Sequence, residues 1–224
     1  MWTLLDDEPP VLVGTYSIGP GNETNTLVVG FGDGELLVVS PGSDPTDEQL
    51  RALEPYGRVT TLVAPNLFHH SGLAAWHAAF PEARVCAADG SLGAWAKKST
   101  VPLDGWSALE LGPSVRLHAS AGVKHAETWV EVLGSERTLY CGDAFLNMAA
   151  VPWFPLGWLL RPLGLGPGFR RNPVRRRLLV DDLDAHGAWL ESLLAENPTR
   201  LVPGHGDVVE SPDLAARLRE LWEG

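Results

Sequence analysis

The sequence predicts one α/β domain assembled from two β-rich halves, with its chemistry gathered at strand ends. Three observations carry that expectation. Short apolar, β-branched runs bounded by turn residues recur through residues 11–64 and again through 115–141. Helical periodicity follows each series, at 73–80 and at 181–196. The 224 residues, 45% hydrophobic and 20% charged, suit one buried core rather than a disordered or fibrous chain.

Taken in order, Val11 to Tyr16, Thr26 to Gly30 and Glu35 to Ser40 read as strands, with Gly32-Asp33-Gly34 as the turn between the last two. Thr46, followed three residues on by Gln49, forms a capping box that opens a helix ending near Gly57. Val59 to Ala64 is the next strand, Leu73 to Phe80 a helix stopped by Pro81, and Arg84 to Ala88 a further strand. The second series comprises Val115 to Ala119, Thr128 to Leu133 and Thr138 to Cys141, with Gly134-Ser135 as a turn. Residues 145–170, rich in Trp, Pro, Gly and Leu, read as an irregular excursion with little regular structure of its own. An amphipathic helix over Asp181 to Glu196, a strand over Arg200 to Val202 and a helix over Ser211 to Trp222 close the chain.

Charge and cysteine content narrow the partners. A formal charge of -11 repels nucleic-acid phosphates and anionic membranes, so the expected partner is a small molecule and neither of those polymers. Cys86 and Cys141 each lie inside an apolar run and read as buried hydrophobes, not a disulfide, which suits a reducing compartment. The first ten residues lack the basic start and apolar stretch of a signal peptide, and no window reaches the about 18 apolar residues of a membrane span. The expectation is a cytoplasmic protein.

His69-His70, Asp143 and His205 each follow the end of a strand, which is where open α/β sheets place their ligand sites. Imidazole nitrogen and carboxylate oxygen suit zinc, and also iron or manganese. If one coordination position stays open such a site activates water, and if it is closed the site is structural. Each residue also has a plainer use, a surface histidine for the imidazoles and a turn or helix cap for Asp143. Glycines on both sides of His205 allow the tight turn that a ligand site requires.

The motifs Gly122-Val123-Lys124-His125, Tyr140-Cys141-Gly142-Asp143 and Val202-Pro203-Gly204-His205, together with Ser40-Pro41-Gly42, resemble those of the metallo-β-lactamase superfamily in order and spacing along nearly the whole chain. The resemblance implies a four-layer αββα sandwich and a metal-dependent hydrolase acting on an ester, thioester, lactone or phosphoester. Its first motif, Asn66 to His70, departs from the family pattern. Aligning His70-Ser71-Gly72 on the closing His-x-Gly puts His69 at a position usually held by Asp and leaves Pro65 and Leu67 where two histidines would stand. That loss implies one divalent ion, zinc first, with His69, His70, Asp143 and His205 as ligands and His125 as a further candidate. It also keeps open a non-catalytic descendant of the fold that binds a ligand or partner.

Three other features have open uses. Asp207 is a candidate to orient a ligating histidine from behind. The basic cluster Arg170, Arg171, Arg175, Arg176 and Arg177 reads either as a solvated face or as a contact for an anionic substrate. The excursion at 145–170 offers a pocket lid, a homodimer contact or a buried packing segment. Gly164, Gly166 and Gly168 lack the strand and helix of a dinucleotide fingerprint.

Overall fold

Two twisted sheets pack face to face, and helices cover the outer face of each. The computed structural model describes residues 1–17, 23–150 and 166–224. The first sheet runs in chain order through β1 (Trp2–Asp7), β2 (Pro10–Ser17), β3 (Glu23–Phe31), β4 (Glu35–Val39), β5 (Arg58–Val63), β6 (Arg84–Ala87) and β7 (Asp104–Gly105). Its first four strands are antiparallel neighbours, and β4 to β7 are parallel. The second sheet is built from β8 (Val115–Ala119), β9 (Thr128–Leu133), β10 (Arg137–Tyr140), β13 (Arg200–Val202) and β14 (Val209–Glu210). Its spatial order is β14-β13-β10-β9-β8.

Three apolar layers separate four structural ones. Between the sheets, Val11, Leu27, Val29, Leu37, Val39 and Val63 face Val115, Val130, Val132, Tyr140 and Val202. These residues alternate along their strands, as a two-residue side-chain period requires for one buried face. The neighbours Leu12, Val28, Leu36, Val38 and Leu62 point the other way. There they meet helix α2 (Leu73–Ala79) through Trp76 and helix α3 (Leu92–Trp95) through Trp95. Both faces of the first sheet are therefore apolar, which explains the continuous hydrophobic runs in β3 and β4. On the far side of the second sheet, Trp129, Leu139 and Leu201 pack on α5 (Leu183–Leu194) and α6 (Leu214–Glu223). Each fully buried Leu or Val contributes about 1.5–3 kcal/mol of transfer free energy, so each layer is a major stabilising term.

Several elements differ from the sequence expectation. The capping box at Thr46 and Gln49 forms, with both of its reciprocal hydrogen bonds, but α1 spans only Asp47–Arg51. Pro55 lacks the N–H a continuing helix needs, and the chain turns instead to Gly57. A strand, β1, precedes the predicted start of the sheet. Its Asp6 is buried and accepts hydrogen bonds from Ser135 N, Ser135 Oγ and Glu136 N, which ties the edge of the first sheet to the β9–β10 turn.

The expectation of an irregular 145–170 excursion is corrected at its ends. β11 (Phe145–Met148) and β12 (Gly168–Arg171) pair antiparallel, with Phe145 opposite Arg171 and Met148 opposite Gly168. Phe145 and Phe169 belong to the outer core of the second sheet, so apolar anchoring holds the ribbon. Trp153, Phe154, Trp158 and Leu159 of the predicted lid or dimer contact lie outside the described residues.

The basic cluster is likewise not one solvated face. Asn172 caps helix α4 (Pro173–Leu179), with Pro173 at its first turn, and α4 carries Arg175 inward. Buried Arg175 donates through Nε (2.8 Å) and Nη2 (2.5 Å) to buried Glu127. Its Nη1 lies 3.5 Å from His186 Nε2. Arg176 stacks over Trp222 at 5.4 Å, and Arg177 is exposed. Cys86 and Cys141 are buried free thiols, and burial pushes them up to about 11 and about 12 respectively. Among the described residues, no helix is long and apolar enough to cross a membrane.

Removing one member of a buried ion pair strands the other charge. Arg175→Met is expected to lower unfolding stability by about 3–5 kcal/mol in urea titrations, while Arg177→Met should change it by less than about 0.5 kcal/mol. His186 supplies a pH test. Burial and the Arg175 charge pull its folded-state value down from 6.5 to about 4, against the opposing effect of the hydrogen bond it donates to Ala121 O. The unfolded chain thus binds the proton more readily. The stability held above pH 6.5 should be lost progressively as pH falls from 6.5 towards 4, and the loss should be smaller in His186→Gln when denaturation midpoints are compared across that window.

Candidate metal centre

Three side chains from three strand ends converge at the rim between the sheets. His69 stands in the loop after β5, Asp143 after β10 and His205 after β13. His69 Nε2 lies 2.9 Å and His205 Nε2 3.2 Å from the same oxygen, Asp143 Oδ1. One ligand atom from each residue falls within 4.8 Å of the others, and the two imidazole rings stand 5.2 Å apart at 64°.

Each ligand atom is aimed by a partner on its far side. His205 Nδ1 donates to the Glu23 carbonyl at 2.8 Å. A carbonyl only accepts, so Nδ1 carries the hydrogen and Nε2 is left facing Asp143. His69 Nδ1 pairs with Ser40 Oγ at 2.9 Å, and Ser40 sits in the left-handed region at φ 55. Asn66 Oδ1 accepts from the backbone N–H groups of Phe68 (2.9 Å) and His69 (3.1 Å), which shapes the loop. Asn66 Nδ2 donates to Asp143 Oδ2 at 3.1 Å, so one carboxylate oxygen is occupied and the other is presented to the imidazoles.

A second layer fixes the His205 loop. Buried Asn25 bridges its own sheet and that loop: Oδ1 accepts from Thr15 Oγ1 (3.3 Å), Nδ2 donates to Pro203 O (2.9 Å) and to Gly206 O (2.7 Å), and its backbone N–H donates to Gly204 O (2.8 Å). Gly204 is forced to be glycine by proximity. A Cβ there would stand 2.8 Å from Gly142 O and 3.0 Å from His69 Cε1.

The electrostatics follow from this convergence. Burial alone would raise the Asp143 carboxyl, yet the His69 charge, hydrogen bonds from His205 and His69, and the His205 charge hold it well below the usual carboxylate range. Burial pulls the His205 imidazole down, and the hydrogen bond and charge of Asp143, with the Glu23 carbonyl, raise it above its ordinary value. Two imidazole nitrogens aimed at one anionic oxygen need either extra protons or a cation between them.

The donor atoms suit a cation. Ligands about 2.0–2.1 Å from a tetrahedral ion lie about 3.3 Å apart, so the observed 2.9 and 3.2 Å need to open by only a few tenths of an ångström. The carbonyl behind His205 is the partner that ligating histidines ordinarily have.

His70 and His125 stand elsewhere. His70 follows His69 in the chain and presents its ring to the opposite side, edge-on to Trp95 at 5.8 Å. Burial there, and the charges of Lys98 and His69, lower its pKa. His125 is exposed on the wall of a neighbouring cleft of about 330 Å³, which Asn66 also lines. Asp207 is exposed and is held through its backbone to Asn147, so the Glu23 carbonyl takes the orienting position behind His205. Pro65 and Leu67 are structural: the Pro65 carbonyl accepts from Thr128 N at 2.8 Å, and Leu67 packs on the core under α2. Among the described residues, one group of three or more His, Cys, Asp or Glu side chains comes together in this way. Sequence reasoning missed Asn25 and the Glu23 carbonyl; Asn66 was visible only as the first residue of the departing motif Asn66 to His70.

No protein-family model matches the chain, and no curated protein matches it. Solved structures do. A metallo-β-lactamase from Pontibacter korlensis superposes with a TM-score of 0.67 over 100% of this chain and 99% of its own, at 14% identity. The chain has the metallo-β-lactamase fold. The DIM-1 metallo-β-lactamase exposed to ceftazidime gives a TM-score of 0.64 at 15% identity, over 100% of this chain and 96% of that one. A peroxy diiron species of the chemotaxis sensor ODP gives 0.62 at 13% identity, over 99% and 94%. At such identities the metallo-β-lactamase fold is shared as a backbone path, and the chemistry of this site rests on its own side chains.

The crowding at Gly204 is testable against a glycine with room around it. Gly204→Ala should lower unfolding stability by about 1–3 kcal/mol. Gly93→Ala, in α3 with nothing within 4 Å of the added carbon, should leave stability unchanged or raise it by up to about 1 kcal/mol when the same urea titration is run.

Proposed function

We propose that the protein is a metal-dependent hydrolase in which His69, Asp143 and His205 hold one divalent ion, zinc first among the candidates. The observation that carries this reading is the meeting of two imidazole Nε2 atoms on one carboxylate oxygen, with a backbone carbonyl behind one ring and a serine hydroxyl behind the other. Three protein ligands leave a tetrahedral site one position short, which is the pattern of catalytic rather than structural zinc. The same two-histidine, one-carboxylate set also accommodates iron. A divalent ion held there supplies a Lewis acid and lowers the pKa of water towards neutrality.

The chain's own residues have separable tasks in that chemistry. The Glu23 carbonyl keeps the proton of His205 on Nδ1, so that Nε2 offers its lone pair. Asn66 takes up Asp143 Oδ2, which favours binding through Oδ1 alone. Asn25 holds the loop that carries His205 at a fixed distance from the other two ligands. The cleft that shares Asn66 with the centre gives a small ester, thioester, lactone or phosphoester a place beside it. A net charge of -11 disfavours nucleic acid as the substrate.

Elemental analysis of protein purified without added metal is expected to find about one equivalent of a divalent metal. His69→Ala, Asp143→Ala and His205→Ala should each lower occupancy at least about tenfold, whereas His70→Ala should retain it. Turnover of an ester, thioester, lactone or phosphoester panel should disappear with Asp143→Ala. Stoichiometric metal with no turnover across the panel would favour the non-catalytic binder, and full occupancy in Asp143→Ala would refute the ligand set.

A further inference from the structure

The cleft beside the centre has a chemical character of its own. The whole chain has three lysines, Lys97, Lys98 and Lys124, against 28 acidic residues. Two of the three, Lys98 from the turn after α3 and Lys124 from the loop before β9, line this one cleft, with His125 next to the second. Chance surface placement of lysines in an acidic protein would scatter them. Here both line a space of about 330 Å³, the lower end of the range for small-molecule sites.

The cleft is also apolar at its mouth. Phe68 and Leu178 are 63% and 60% exposed, two of the five exposed large hydrophobic side chains among the described residues, and both line it. Among the described residues, Lys98 forms no ion pair and Lys124 forms one exposed pair. Lys98 Nζ donates to the Leu67 carbonyl and stands 5.3 Å from the Phe68 ring centroid. Lys124 Nζ is 3.9 Å from Asp181 Oδ1, an exposed pair of little energetic weight. The one acid in the wall, Glu127, is buried and paired with Arg175, whose Nε and Nη2 both donate to its Oε2.

From this arrangement we infer that the cleft binds a small organic anion with an apolar body, its acid group between Lys98 and Lys124 and its hydrocarbon against Phe68 and Leu178. This deepens the hydrolase reading by naming its substrate class, an acid-bearing ester, thioester or lactone, and rests on that reading for the reaction alone. Anion binding itself needs only the cleft.

Three probes of one shape and different charge test it: 4-phenylbutyrate, 4-phenylbutanol and 4-phenylbutylamine, titrated by calorimetry into the full chain as purified and again after chelation. Saturable binding of 4-phenylbutyrate, at least about tenfold tighter than the alcohol or the amine in both preparations, is expected. Lys98→Met with Lys124→Met should weaken it at least about tenfold, and Lys97→Met should not. Denaturant titration of each variant checks that it is folded; should the double variant not fold, Lys98→Met and Lys124→Met are compared singly. Equal affinity for the three probes, no saturable binding, or a preference for the anion that vanishes on chelation overturns the inference. Metal content and turnover, measured separately, report on the hydrolase reading whichever way the probes behave.

Discussion

Asp143 Oδ1 can receive two imidazoles only because the two sheets are packed in one register. Asp143 and His205 belong to strand ends of the second sheet, whereas His69 and the groups that aim the rings, Ser40 and the Glu23 carbonyl, belong to the first. The apolar layer formed by Val29, Val39 and Val63 against Val130, Tyr140 and Val202 sets that register. A shift of one residue in either sheet would turn its inner face outward and carry the ligands away from each other. The site is thus a readout of the core beneath it, and the Asn25 clamp adds a polar link at the rim where packing alone is looser.

Much of this was legible in the sequence because periodicity reports burial directly. β8, β9 and β13 match their expected spans, β5 and β10 are offset by one residue at each end, and α2 starts as expected and ends one residue early. The positions of His69, Asp143 and His205 past strand ends were visible for the same reason. What stayed hidden was the direction of side chains within loops. An adjacent histidine pair says nothing about which ring turns inward; the Asn66 side chain decides it by capping the backbone at Phe68 and His69.

Partners supplied by the main chain are invisible to residue-type reasoning, and that is why the Glu23 carbonyl was missed while Asp207, a carboxylate close in sequence to His205, stood as a candidate. Charge patterns mislead in a related way. Arg170 to Arg177 reads as one basic patch, yet Asn172-Pro173 starts a helix there, and helical geometry sends Arg175 into the core while leaving Arg177 in water. The departures from the metallo-β-lactamase pattern at Pro65 and Leu67 have a structural use as well, since both positions contribute to packing or to strand-end hydrogen bonding.

The scarcity of lysine has a practical side. Amine-directed reagents, whether acylating labels, aldehyde fixatives or coupled resins, find only three side-chain handles on this chain, and two stand at one opening. Acylation removes the positive charge of a lysine. For most proteins such labelling spreads over a surface and leaves any single site largely untouched, whereas here it would concentrate on the cleft wall and remove its positive charge. Attachment through a terminus or an introduced surface cysteine leaves that wall intact.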